Sequence, residues 1–198
     1  MFRTIEPPTR TVLAVFSWIL HVGLLPMNLQ SDDFELFGVP RRFAQERSAL
    51  DARWKDLQRE AHPDKFAAQG SAAQRVAMQW SVRINEAYQR LKDPMRRAAY
   101  LCELHGAPIR AEDNTAMPSA FLVQQMEWRE ALEEALGAAQ LDALEEGVHQ
   151  ARRAALGRCE QLIDEQQDHA TAAREVRALM FIARFADDIE RRREQLGQ

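Results

Sequence analysis

The sequence predicts an all-α protein in two parts, a helical hairpin with flanking short helices followed by an antiparallel three-helix bundle. Two observations carry this reading. Apolar residues recur at spacings of three and four through both halves of the chain, the mark of helices that bury one face. The composition, 46% hydrophobic with eight glycines in 198 residues, provides for one core or two small ones.

The first 26 residues stand apart. Val12 to Leu25 is an apolar run of 14 residues broken by Ser17, His21 and Gly23 and preceded by Arg3 and Arg10. It is short for a bilayer span and matches a signal-peptide core in length, but no small-x-small cleavage site follows Leu25. The alternative is a natural start at Met27, with residues 1–26 an upstream extension, and the missing cleavage site favours it.

With a start at Met27, residues 27–33 are a short lead into the first helix. In the next helix Leu50, Trp54, Leu57 and Ala61 share a face, and Pro63 ends it by removing a backbone donor and pushing His62 toward extended geometry. Asp64 then faces solvent, Phe66 turns back onto the helices, and Gly70-Ser71 break the chain and cap the following helix. Val76, Trp80, Ile84, Ala87 and Leu91 form the apolar face of that helix. The loop thus joins two antiparallel helices with His62, Pro63 and Asp64 at its tip. Alone, the tripeptide reads first as a plain helix stop.

A fourth helix starts at Pro94, with Met95, Ala98, Leu101 and Cys102 inward, and stops at Gly106. Residues 107–118 read as a linker rich in Pro, Asn, Asp and Thr. Three longer helices follow: Ser119 to Leu136, about Leu141 to Ile163, and about Ala170 to Gln195. The last is expected to bury Val176, Leu179, Met180, Ala183 and Ile189. Short turns between three amphipathic helices make an antiparallel bundle.

Charge separates the halves. Residues 27–106 carry a net charge of +2 and residues 107–198 a net charge of −7. Different partners are expected for each, the basic side of the first half steering toward an acidic surface. A nucleic-acid partner would call for more net charge and interleaved aromatics. The two cysteines, Cys102 and Cys159, and the five histidines have no ligand-like spacing, so no metal site and no disulfide framework are expected. Neither a phosphate-cradling glycine loop nor a nucleophile elbow occurs, so no enzyme and no cofactor are expected.

The helix before the tripeptide carries Arg53, Lys55 and Arg59 on its polar side, and Lys65 follows it. With that context, residues 27–106 resemble a J-domain, the co-chaperone module of the 70-kDa heat-shock chaperones. Asp33-Phe34-Glu35-Leu36-Phe37-Gly38-Val39-Pro40 resembles its first helix, Ile84-Asn85-Glu86-Ala87-Tyr88 the core of its third, and Pro94-Met95-Arg96-Arg97-Ala98-Ala99-Tyr100-Leu101 its fourth.

No glycine-phenylalanine-rich segment and no repeated Cys-x-x-Cys modules follow. Instead a J-domain, a short linker and an acidic bundle at 119–198 resemble the HscB family, co-chaperones of iron-sulfur cluster assembly. The block Phe121-Leu122-Val123-Gln124-Gln125-Met126-Glu127-Trp128-Arg129-Glu130 is the most specific match. The resemblance implies that His62, Pro63, Asp64, Arg53, Lys55, Arg59 and Lys65 meet the chaperone and stimulate its ATPase. It implies that Leu122, Val123, Met126, Glu127, Glu130 and Glu134, with Phe181, hold the scaffold protein on which clusters are built.

Spacing alone puts Val123, Glu127, Glu130 and Glu134 on one face, bordered by Leu122 and Met126. The competing reading makes Leu122 and Met126 core residues. Val123 departs from the family, where a longer methionine is familiar. The cysteine-rich zinc segment of some mitochondrial relatives is missing, which implies a bacterial-type, cytoplasmic member. The competing function is a generic or membrane-tethered J-domain protein delivering other clients.

Overall fold

The computed structural model describes residues 30–110 and 117–197. The N-terminal apolar run and the middle half of the expected linker, residues 111–116, lie outside the described residues. Among the described residues there are seven α-helices, one 3₁₀ helix and a π-helical turn, and no strand. The all-α expectation holds. Packing divides the chain into two compact units, one holding residues 45–92 with the segment that precedes Arg42, the other holding 93–197 together with Arg42–Ala44.

The first unit comprises α1 (Asp33–Phe37), α2 (Arg47–Glu60), the 3₁₀ helix (Pro63–Gln69) and α3 (Ser71–Lys92). Asp32 caps α1 by accepting from the Glu35 amide at 2.9 Å. Gly38, at φ +65°, closes α1 with its amide on Glu35 O while Val39 N reaches Phe34 O, a left-handed turn that glycine adopts without strain. Phe34, Leu36 and Phe37 are buried. Asp33, also buried, is held by Arg83 at 2.6 Å and Arg90 at 2.7 Å, which ties α1 to α3.

Contacts between α2 and α3 run in opposite order along the two helices, so the pair is antiparallel. Arg47 donates to the Lys92 carbonyl, Tyr88 Oη donates to Asp51 at 2.7 Å, and Trp54 Nε1 donates to Asn85 Oδ1 at 2.9 Å. Further along, Gln58 Nε2 donates to the Ser81 carbonyl at 3.1 Å, and Ser81 Oγ to the Ala61 carbonyl at 3.1 Å. Leu50, Leu57, Trp80, Ile84, Ala87 and Leu91 fill the seam, as their spacing predicts. Ser71 is the first helical residue of α3 and not its cap: Gly70 holds the preceding position, its carbonyl accepting from Gln74 N.

The second unit comprises α4 (Pro94–Leu104), α5 (Ser119–Glu134), α6 (Ala138–Glu160) continued by the π-turn Gln161–Glu165, and α7 (His169–Gln195). Asp93 caps α4, accepting from Arg96 N at 2.8 Å, with Pro94 in the first turn. The sequence groups α4 with the first half; its packing is against α7, where Ala98, Leu101 and Cys102 are buried. Asp164, in the π-turn, accepts from the Phe43 and Ala44 amides at 2.6 and 2.9 Å, which brings that short segment into this unit.

α7 is the central helix of the bundle. Ala172, Val176, Leu179, Ile182, Phe185 and Ile189 are buried along it. Met180 is only half-buried and Ala183 is exposed, a correction of about one residue in phase from the expected face. The larger apolar groups Ile182 and Phe185 take the inward positions and set the rotation. Cys102 and Cys159 are free and fully buried, and burial pushes their thiols up to about 11 and about 12, so both remain protonated.

His105, after α4, stacks on His169, the first residue of α7, with centroids 3.8 Å apart and planes 6° from parallel. Burial, then the neighbouring His105, hold His169 below the ordinary histidine value of 6.5. The unfolded chain therefore binds this proton more readily than the fold. The stabilisation is complete above about pH 6.5 and is lost as pH falls through the depressed folded value. The melting temperature is expected to drop on acidification from about pH 7.5 to about pH 5.5, and to drop less in His169→Gln. Thermal melts followed by circular dichroism across that range measure the difference.

Candidate functional site

Two surfaces present the residues that the sequence singles out. The first is the tip of the α2–α3 hairpin. His62 sits at the N-cap of the 3₁₀ helix with extended backbone, φ −64° and ψ 126°, as a residue before proline requires. Its Nδ1 accepts from the Asp64 amide at 3.3 Å, and its carbonyl accepts from Lys65 N at 3.1 Å. The Asp64 carboxylate lies 3.6 Å from His62 Nδ1, and its side chain is 89% exposed.

The loop is fixed from behind. Phe66 is buried against Ala73, Val76 and Ala77, and the Ser81 hydroxyl holds the carbonyl of Ala61, immediately before His62. The histidine and the carboxylate are therefore held on a rigid turn with their polar groups in water.

The basic residues divide into two groups. Lys55, Arg59 and Lys65 are exposed, with Arg59 paired to Asp56 at 2.9 Å. Arg53 is half-buried, its Nε donating to the Phe37 carbonyl at 3.3 Å, so it also braces the end of α1. Sequence spacing did not identify the Asn85 clamp: Asn85 Oδ1 accepts from both Trp54 Nε1 and Gln58 Nε2 at 2.9 and 2.8 Å, while Trp54 stacks on Tyr88 at 4.8 Å. A polar residue directly after the buried Ile84 was the available signal.

The second surface is α5. Phe121 and Trp128 point into the bundle, edge-to-face with each other at 5.9 Å, and Trp128 stacks on Phe185 at 5.4 Å. Their burial turns the opposite face outward. Leu122 is 47% exposed, Val123 58% and Met126 73%. Glu127, Glu130 and Glu134 are exposed beside them. Exposure rules out the reading that makes Leu122 and Met126 core residues.

Phe181, from α7, is half-buried: it meets Phe121 edge-to-face at 5.7 Å, and the Arg129 guanidinium lies 5.7 Å over its ring. It backs the α5 surface through Phe121. Next to Val123 and Glu127, where α5 meets α6 and α7, lies a cleft of about 620 Å3 that also takes in Arg158 and Glu175. These last two were missed by sequence reasoning. Glu175 carried a signal, because it falls in phase with the apolar positions Ala172 and Leu179 of α7.

An exposed strip of three apolar groups beside three carboxylates suits docking more than chemistry. The apolar groups lose water on contact, and the carboxylates steer and set register. Among the described residues no three His, Cys, Asp or Glu side chains gather as a metal site would need. No helix among them is long and apolar enough to cross a membrane.

Alanine scanning separates the two faces of α5. Phe121→Ala and Trp128→Ala are each expected to cost roughly 3 to 5 kcal/mol of stability. Leu122→Ala, Val123→Ala and Met126→Ala are each expected to cost less than about 1 kcal/mol. Denaturant titrations of the five variants measure this, and a large loss at Met126 would return it to the core.

Comparison with known proteins gives a consistent picture. The family described as "HSCB C-terminal oligomerisation domain" matches residues 117–190. The chain is 48% identical to the co-chaperone protein HscB homolog of Burkholderia multivorans over 86% of its own length and 98% of the relative's. It is 47% identical to the homolog of Burkholderia mallei, with the same coverage. Among solved structures, chaperone HscB from Vibrio cholerae matches with a TM-score of 0.72 and 36% identity, over 84% of this chain and 99% of that one. Human co-chaperone protein HscB matches with a TM-score of 0.78 and 26% identity, over 84% of each chain.

Proposed function

Because this chain belongs to the HscB co-chaperone family, we propose that it stimulates the ATPase of a specialised 70-kDa heat-shock chaperone and brings to it the scaffold protein of iron-sulfur cluster assembly. The observation that carries this reading is the pairing, in one chain, of a rigid exposed His62-Pro63-Asp64 turn with an exposed apolar and acidic strip on a separate compact unit.

Residues 27–106 act as the J-domain. Asp64 pairs with a cationic side chain of the chaperone, and Lys55, Arg59 and Lys65 meet an acidic surface around it; Arg53 contributes while bracing α1. Catalysis belongs to the chaperone, and this chain is not itself an enzyme and needs no cofactor. Residues 107–118 link this module to the bundle of 119–198. There Leu122, Val123 and Met126 supply the buried area of the scaffold contact, Glu127, Glu130 and Glu134 its electrostatic steering, and Phe181 backs the strip. The compartment is the bacterial cytoplasm.

Holding the scaffold and the chaperone on one chain raises the concentration of each near the other. Hydrolysis is then coupled to scaffold capture, a coupling between two sites that acts in both directions.

His62→Gln and Asp64→Asn are expected to abolish stimulation of the chaperone ATPase while the thermal melt overlays that of the parent, since both side chains are exposed. Steady-state ATP turnover with the cognate chaperone measures this. Stimulation that survives both substitutions refutes the mechanism. Neutralising Glu127, Glu130 and Glu134 to Gln is expected to slow scaffold association and flatten its salt dependence. Leu122→Ala and Met126→Ala are expected to speed dissociation instead, which stopped-flow binding at several salt concentrations resolves.

A further inference from the structure

The cleft beside the docking strip lies where the first turns of α5 and α7 meet the last turn of α6. Pro118, Phe121 and Val123 give it an apolar wall, and its ionisable groups are Glu127, Arg158 and Glu175. Two carboxylates against one guanidinium leave a formal charge of −1 on the lining.

Glu175 is 5% exposed, a buried carboxylate. Its Oε2 lies 3.0 Å from Arg158 Nη2 and makes no hydrogen bond among the described residues. Each carboxylate oxygen can accept about two hydrogen bonds, so the capacity of Oε2 is unused. A buried charge on a helix that could have carried an alanine or valine there is costly to keep. The side chain of its counter-ion, Arg158, is 47% exposed, which leaves the guanidinium room to swing outward. Glu127, at the rim, is exposed.

We propose that this cleft is a subsite for a lysine or arginine side chain of the protein that docks on the Leu122–Met126 strip, with Glu127 and Glu175 as its acceptors. The inference rests on that docking reading, since Val123 and Glu127 belong to both surfaces. The aliphatic stem of the incoming residue lies on the apolar wall and its cationic head passes Glu127 to reach Glu175, displacing Arg158. One cation replaces another at Glu175, and Glu127 gives the incoming head a second carboxylate. A neutral side chain cannot replace Arg158 on Glu175 and gains no ion pair, and an acidic one would add a third negative charge. The exchange therefore selects partners by rejecting those without a base at this register.

The test uses the full chain and three capped tripeptides, acetyl-Gly-Lys-Gly-amide, acetyl-Gly-Leu-Gly-amide and acetyl-Gly-Glu-Gly-amide, titrated by amide chemical-shift mapping. The lysine peptide is expected to give saturable shifts at Val123, Glu127, Arg158 and Glu175, and the other two are not. Glu127→Gln, at an exposed position, and Glu175→Gln are each expected to weaken the lysine peptide by about tenfold, the loss of one charge-assisted contact. Arg158→Gln removes the competing cation and is expected to strengthen it severalfold, the opposite sign from a purely structural role.

Equal shifts with the leucine or glutamate peptide, no saturable shift at these residues, or unchanged affinity in both glutamate variants overturns the subsite. Titration of the parent with the cluster scaffold protein decides the docking reading separately. Peptide shifts without scaffold binding remove the docking reading and leave the cation site. Scaffold binding that Glu175→Gln does not change, with no peptide shifts, removes the cation site alone.

Discussion

A helix with 3.6 residues per turn buries one face, and in this chain the phase of that burial decides which side chains remain available to a partner. On α5 the decision is made by two aromatic residues seven positions apart. Phe121 and Trp128 are buried against each other, Phe181 and Phe185, so Leu122, Val123 and Met126 are left in water although nothing in their own chemistry favours it. On α2 the buried positions Leu50 and Leu57 do the same for Lys55 and Arg59. Both candidate surfaces are the outward complement of a packing pattern.

The hairpin adds a second constraint. An α-helix cannot run through Pro63, so the chain must turn there, and the turn could have been loose. It is held by ties on both sides: the Ser81 hydroxyl on the Ala61 carbonyl before it, and Phe66 packed on Ala73 and Ala77 after it. The Asn85 clamp and the Trp54–Tyr88 stack lock the register of α2 against α3. Exposed polar groups on a braced turn lose little further freedom when a partner orders them, which is what binding through two small side chains requires.

Much of this was legible in the sequence, for a physical reason. Helical periodicity reports burial directly, and it located the α2–α3 seam, the stop at Pro63 and the fold class. Periodicity is weakest where apolar residues occupy neighbouring positions. That is why α7, whose run Ala178-Leu-Met-Phe-Ile-Ala183 offers several faces, was read about one residue out of phase at Met180 and Ala183. For the same reason spacing alone left open whether Leu122 and Met126 were core or surface. Long-range partners are invisible to any local pattern. The packing of α4 on α7, the Asp164 contacts to Phe43 and Ala44, and the Arg158–Glu175 pair each join residues far apart in the chain, and none could be read from spacing.

The central claim is that one chain couples two partners through two surfaces. The most direct test is the ATPase rate of the cognate chaperone at a fixed, sub-saturating amount of this protein, measured as the cluster scaffold protein is added. Coupling predicts that scaffold raises the stimulated rate above the sum of the rates given by each protein alone, and that Met126→Ala removes the excess while the stimulation without scaffold stays as in the parent. A stimulated rate that does not change with scaffold, or an excess that persists in Met126→Ala, contradicts the account.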